Sequence, residues 1–126
     1  MKYMLLVRSN RSEWAEWDDP SDDALATMDF MARLNAELLA SGEFVDAAGL
    51  ANPVLAKTVR NHDDASVITD GPYSEAKEVL GGYWVLDCES YDRALAIAAR
   101  VVEFGGHGPD TVEVRPIMTE DRGLEM

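Results

Sequence analysis

Residues 79–88 read Val79-Leu80-Gly81-Gly82-Tyr83-Trp84-Val85-Leu86-Asp87-Cys88 and describe a β-strand that is apolar on both faces. Alternate side chains of a strand point to opposite sides of its sheet. One row is therefore Val79, Gly81, Tyr83, Val85 and Asp87, and the other is Leu80, Gly82, Trp84, Leu86 and Cys88. The opening of the chain behaves alike, with Tyr3, Leu5 and Val7 set against Met4 and Leu6. A sheet of such strands needs cover on both sides, because a large contiguous apolar patch is not tolerated by a monomer in water. The Gly81-Gly82 pair inside the strand signals a bulge or a close backbone approach.

Outward from this strand the chain supplies two helices. The first is predicted from Asp19-Pro20-Ser21-Asp22, where Asp19 caps, Pro20 takes the first helical position and acids fill the first turn. It runs to about Ala40, ahead of a glycine stop at Ser41-Gly42. Leu25, Met28, Met31, Ala32, Leu38 and Leu39 are expected on its inner face, with Phe30 and Leu34 to the side. Ser90 caps the second helix, Tyr91 to about Val102, which should bury Leu95, Ala98 and Val102. Segments 44–50, 54–59, 66–69 and 111–117 read as further strands. A polar loop over 9–20 carries Trp14 and Trp17, a polar turn of open or helical form leads to Glu78, and Gly105-Gly106-His107-Gly108-Pro109 breaks the chain before its last strand.

This order is that of an α+β fold, a ferredoxin-like antiparallel sheet with two helices on one face. Two helices leave the other face bare. Pairing of that face with a second copy is the expected solution, since most oligomers are symmetric homodimers. Burying ~1,000 Å² of apolar surface there is worth about 25 kcal/mol before association costs. The competing reading folds the chain's own loops, the Trp14/Trp17 segment first among them, over the face.

The 126 residues suit one domain spanning 1–126, with 118–126 expected as a flexible tail or one swapped onto a partner. Eleven basic against 24 acidic residues leave a net charge of −13. That balance repels phosphate backbones and anionic lipid, and the basic residues are scattered, so neither direct nucleic-acid binding nor membrane association is expected. Solubility is reason enough for the charge; docking to a basic partner is the alternative. No apolar run approaches the ~18–20 residues that cross a bilayer. The apolar stretch that opens the chain ends too soon, at Arg8, for a signal peptide. Cys88 is the single cysteine, which rules out an internal disulfide and suits a cytoplasmic protein.

Candidate chemistry is sparse. In the last strand Val112 and Val114 share one face, while Glu113 and Arg115 share the other; Arg8 is in step with Met4 and Leu6. If the valines face the helices, Arg8, Glu113 and Arg115 meet on the open face, either as convergent charges of a small-molecule cleft or as partners of one another at its rim. Asp70-Gly71-Pro72 is first a turn, with Gly71 supplying backbone freedom and Asp70 able to accept from amides ahead of it. The functional alternative has Asp70, Tyr73, Glu75 and Lys77 line the mouth of the cleft and hold a polar ligand. His62 sits in an exposed-looking turn, whereas His107, in a glycine loop, could serve as a general base if a carboxylate oriented it. No metal-ligand spacing, phosphate-binding loop or nucleophile elbow is present, and no cofactor is expected. Cys88, in an apolar strand, reads as core.

Residues 70–84, from Asp70-Gly71-Pro72-Tyr73 through Gly81-Gly82-Tyr83-Trp84, resemble the signature of the DGPF family within the YCII-related group. The opening KYMLLV and the closing Val112-Glu113-Val114-Arg115-Pro116 match the same family in the same order. Tyr73 stands where phenylalanine is commonest and Ala76 where threonine often stands. The resemblance implies a ferredoxin-like domain that dimerises through its sheets into a dimeric α/β barrel, and an association with extracytoplasmic-function sigma factors. Some members of the wider group are proposed to be enzymes through a His–Asp pair in the cleft. The first helix here holds no histidine, which argues against carrying that chemistry over.

Two functions from different classes follow. One is a dimeric module that binds a small ligand or a partner, linked to sigma-factor regulation of transcription. The other is a small cofactor-free enzyme in which Asp70, His107 or Arg115 places and activates a substrate in the cleft.

Overall fold

The computed structural model describes residues 1–10, 22–72, 78–104, 109 and 111–119. Its elements, in chain order, are β1 (Lys2–Asn10), α1 (Asp22–Ser41), β2 (Phe44–Gly49), a 3-10 turn (Pro53–Leu55), β3 (Lys57–His62), β4 (Ala65–Asp70), β5 (Glu78–Asp87), α2 (Tyr91–Val102) and β6 (Thr111–Pro116). Four strands form one sheet in the order β2-β5-β1-β6, and every neighbouring pair is antiparallel. The chain is an α+β protein whose sheet and helices follow the β-α-β-β-α-β connection order read from the sequence. Strands β3 and β4 form a separate two-stranded hairpin inserted between β2 and β5.

Both helices lie on one side of the sheet. Leu34 and Leu38 of α1, with Ala94, Ile97, Ala98 and Val101 of α2, close over Tyr3, Leu5, Val7, Trp84, Leu86 and Cys88 in one buried cluster. Trp84 Nε1 donates to Asn35 Oδ1 at 2.7 Å, so the one polar atom of this large side chain is satisfied by the helix that covers it. The hydroxyl of Tyr91 donates to the Val114 carbonyl at 3.0 Å and ties α2 to β6. Among the described residues no helix is long and apolar enough to cross a membrane.

The helix ends follow local chemistry. Gly42, at φ +82°, donates to the Leu39 carbonyl, and the Glu43 amide donates to that of Leu38, a Schellman stop that favours glycine. Ser90 Oγ accepts from the Arg93 amide at 3.1 Å and caps α2. The predicted cap at Asp19, like the Trp14/Trp17 segment and most of the tail beyond Met118, lies outside the described residues.

The helix faces differ from the expected ones. Leu25, Met28 and Leu39 of α1 are exposed, and so are Leu95 and Val102 of α2. The residues that pack on the core are Phe30, Leu34 and Leu38, at a four-residue spacing, with Met31 beside them; of these Met31 and Leu38 were expected on the inner face. In α2 the buried row is Ala94, Ile97, Ala98 and Val101, whose small residues let the helix approach the sheet closely. The expected strand over 54–59 is also corrected. Asn52 Oδ1 accepts from the Val54 amide, and with Pro53 following it this starts a 3-10 turn, so the strand begins only at Lys57.

Strict alternation fails once in β5. Val7 pairs with Gly82 and Arg8 with Leu80, so Gly81 is an unpaired bulge residue. Before the bulge the faces exchange: Val79 is buried, while Leu80 turns to the side that carries Tyr83 and Val85. Gly82 meets the other half of the expectation. A Cβ there would lie 2.7 Å from the Ala48 carbonyl oxygen, so only glycine lets β2 approach.

Candidate functional site

The side of the sheet away from the helices carries Lys2, Met4, Leu6 and Arg8 of β1, flanked by Leu80, Tyr83, Val85 and Asp87 of β5. Asp46 and Ala48 of β2 and Thr111, Glu113 and Arg115 of β6 complete it, because residues paired across neighbouring strands share a face. No described helix packs here, and Met4, Leu6, Leu80, Tyr83 and Val85 keep part of their surface in solvent, while their neighbours on the other face are sealed. The valines of β6 do face the helices, as the alternation requires, and this places Glu113 and Arg115 on the open side.

Charges on this face pair with one another. Glu113 lies 3.5 Å from an Arg8 nitrogen and 3.7 Å from Arg115 Nε. These are loose, half-exposed pairs that contribute little to stability. One carboxylate shared by two guanidinium groups leaves positive charge at the β6 edge of a chain whose overall charge is −13. Across the sheet the Tyr83 hydroxyl donates to Asp46 Oδ2 at 3.1 Å, and this carboxylate raises the phenol above its ordinary pKa. At the top of the face Thr111 Oγ1 donates to Glu78 Oε2 at 3.0 Å.

Beside Leu80 the face opens into a pocket of about 440 Å³. Its walls come from the connection after β2 (Leu50, Pro53, Leu55), from Pro72 at the foot of the hairpin, and from Glu78 and Leu80. The lining is apolar apart from Glu78 and Asn52, the usual character of a small-molecule site. Sequence reasoning missed this pocket. Its one legible trace was the glycine pair, since the bulge at Gly81 is what turns Leu80 toward it.

Of the predicted site residues, Arg8, Glu113 and Arg115 converge. Asp70 stands apart at the foot of the hairpin, 87 % exposed, and its described partner is Lys57 Nζ at 2.7 Å rather than a backbone amide. The turn it opens is confirmed: Gly71 holds φ +85°, its amide donates to the Ala56 carbonyl, and its carbonyl accepts from Thr58 Oγ1. Tyr73, Glu75, Lys77 and His107 lie outside the described residues. His62 is exposed at the end of β3, next to the hairpin turn and 3.5 Å from Asp63. Cys88 is buried, and burial pushes its thiol up to about 11, as expected of a core residue and not of a nucleophile. Among the described residues no group of three metal-ligating side chains gathers.

A family model described as the YCII-related domain matches residues 1–120 of the chain. An uncharacterized protein of Rhizobium meliloti (strain 1021) is 28% identical over 117 residues, covering 93% of this chain and 92% of that one.

Proposed function

Starting from the premise that this chain belongs to the YCII-related domain family, we propose that it works as a face-to-face homodimer that binds a small molecule between its two sheets. One observation carries the reading: no described helix packs on the apolar row Met4, Leu6, Leu80, Tyr83 and Val85, which keeps part of its surface in solvent, whereas Tyr3, Leu5, Val7, Trp84 and Leu86 on the other face are buried under α1 and α2. Charge supports it as well. The open face holds Lys2, Arg8 and Arg115 against Asp46, Glu78, Asp87 and Glu113, close to balance, whereas the whole chain carries 24 acids against 11 bases. Two strongly acidic copies approach each other with least repulsion through such a face. Pairing roofs the pocket beside Leu80 and makes a cleft with apolar walls, polar at Glu78 and at the Arg8–Glu113–Arg115 edge.

In this reading the protein is a cytoplasmic binding module. Its further partner is a transcription regulator of the sigma-factor kind; an acidic exterior suits docking to a basic surface. The acid–base alternative rests on Asp70, His107 or Arg115; Asp70 pairs with Lys57 at the foot of the hairpin, Arg115 lies beside Glu113, and His107 is outside the described residues.

Light scattering across micromolar concentrations tests the assembly, with a mass of two chains expected. Val85→Asp, on the open face, should give a folded single chain. A wild-type protein that stays a single chain at 100 µM overturns the proposal.

A further inference from the structure

We infer that the β3–β4 hairpin is an arm that docks on the second copy of the chain and supplies the contact area that the sheet face alone lacks. The hairpin is fully zipped, from Lys57 opposite Asp70 to His62 opposite Ala65. Nearly all its residues are nevertheless exposed, and its main packing contacts are between its own strands. A two-stranded ribbon on its own is marginal in water and needs a surface to lie on. The apolar cross-strand pair Val59–Ile68 is 63% and 64% exposed, so the side it offers to such a surface is unused within one chain.

Three observations name the second copy as that surface, given the dimer proposed above, on which this inference rests. The first is continuity. Ala56 and Pro72, at the two feet of the hairpin, line the same pocket as Leu80, so the arm springs from the border of the open face. The second is area. With strands ~4.8 Å apart and ~3.3 Å per residue, a four-stranded face of about six residues per strand measures roughly 400 Å², or ~800 Å² for both copies. A stable interface buries about 1,200–2,000 Å². An arm two strands wide and six residues long adds roughly 200 Å² and hides as much on its partner, so two arms bring the total to about 1,600 Å². The third is charge. With Lys57 and Arg60 against Asp63, Asp64 and Asp70 the arm is near balance, at −1, so it meets far less repulsion from a second copy than the −13 of the whole chain implies.

Full-length wild type, the double variant Val59→Ser/Ile68→Ser and the face variant Val85→Asp test this by sedimentation, with hydrogen exchange of the hairpin amides followed above and below the dimer dissociation constant. The arm predicts a dissociation constant weakened at least tenfold in the double variant. It also predicts hairpin exchange in wild type that slows as the dimer fills. Should wild type dimerise while the double variant dimerises equally well, or while wild-type hairpin exchange ignores concentration, the arm is overturned and the sheet-to-sheet dimer stands. A wild type that never dimerises removes both. Exchange is read on wild type, so it decides the matter even if the double variant fails to fold.

Discussion

Glu43 sits where the turn after α1 meets α2 and accepts from two side chains at once. Arg93 donates through Nε and a terminal nitrogen at 2.9 Å each, and Ser41 Oγ donates at 2.7 Å. The paired Arg93 guanidinium is the main reason that its carboxyl falls from an ordinary 4.5 to about 2. A carboxyl lowered on folding stabilises the native state fully above its unfolded pKa, and the gain is lost as pH falls through the folded value. The contribution should therefore be whole above pH 4.5 and disappear toward pH 2. Because Arg93 is two-fifths exposed, solvent screening discounts it to roughly 2 kcal/mol. Glu43→Gln is expected to lower stability at pH 7 by about that amount and to flatten the acid limb, as read by urea denaturation at several pH values. Cys88, buried with its thiol raised to about 11, should resist alkylation in the native protein at pH 8 and react only when the chain unfolds. Mass spectrometry after iodoacetamide checks this. Cys88 was legible as core from its strand alone, but the pairing of Arg93 with Glu43 was not, because 50 residues of chain separate the two.

The elements were legible wherever local chemistry dictates them. Ser90 and the Ser41-Gly42 stop mark helix ends by hydrogen-bonding patterns that need only a few neighbouring residues. The strands β1 and β5 announced themselves by apolar content on both faces and β6 by its alternating valines, and the order of strands and helices implied two helices on a single face, as found. What stayed hidden depends on partners distant in sequence. Which of two apolar stripes of α1 faces inward is decided by the sheet beneath it, so Leu25 and Leu39 passed for core and Leu34 for flank. The zipping of β3 onto β4 was likewise invisible in segments too polar to read as core. Two substitutions test how the elements are joined. Gly82→Ala drives a methyl into the Ala48 carbonyl and should cost about 2 kcal/mol or more, with β2 amides losing exchange protection first. Trp84→Phe removes the donor that Asn35 accepts and should cost about 1–3 kcal/mol, read by thermal or urea unfolding.

For the molecule as a whole, a charge of −13 sets the conditions of assembly. Two such bodies repel at low ionic strength, so the proposed dimer should tighten, by roughly tenfold, when salt rises from tens to hundreds of millimolar. Weakening with salt would point instead to an interface held by the Arg8–Glu113–Arg115 pairs. The layering has an independent consequence. The cluster around Trp84 and Leu86 closes between one chain's helices and its own sheet. In the proposed dimer each subunit would complete its interior before it meets another, and unfolding should proceed in two stages, a dissociation that shifts with dilution and a melting that does not. A subunit that is already folded on arrival can also depart intact. Pairing is then an equilibrium that ligand, ionic strength or cellular abundance can set, which is not true of chains that must fold into one another to exist at all.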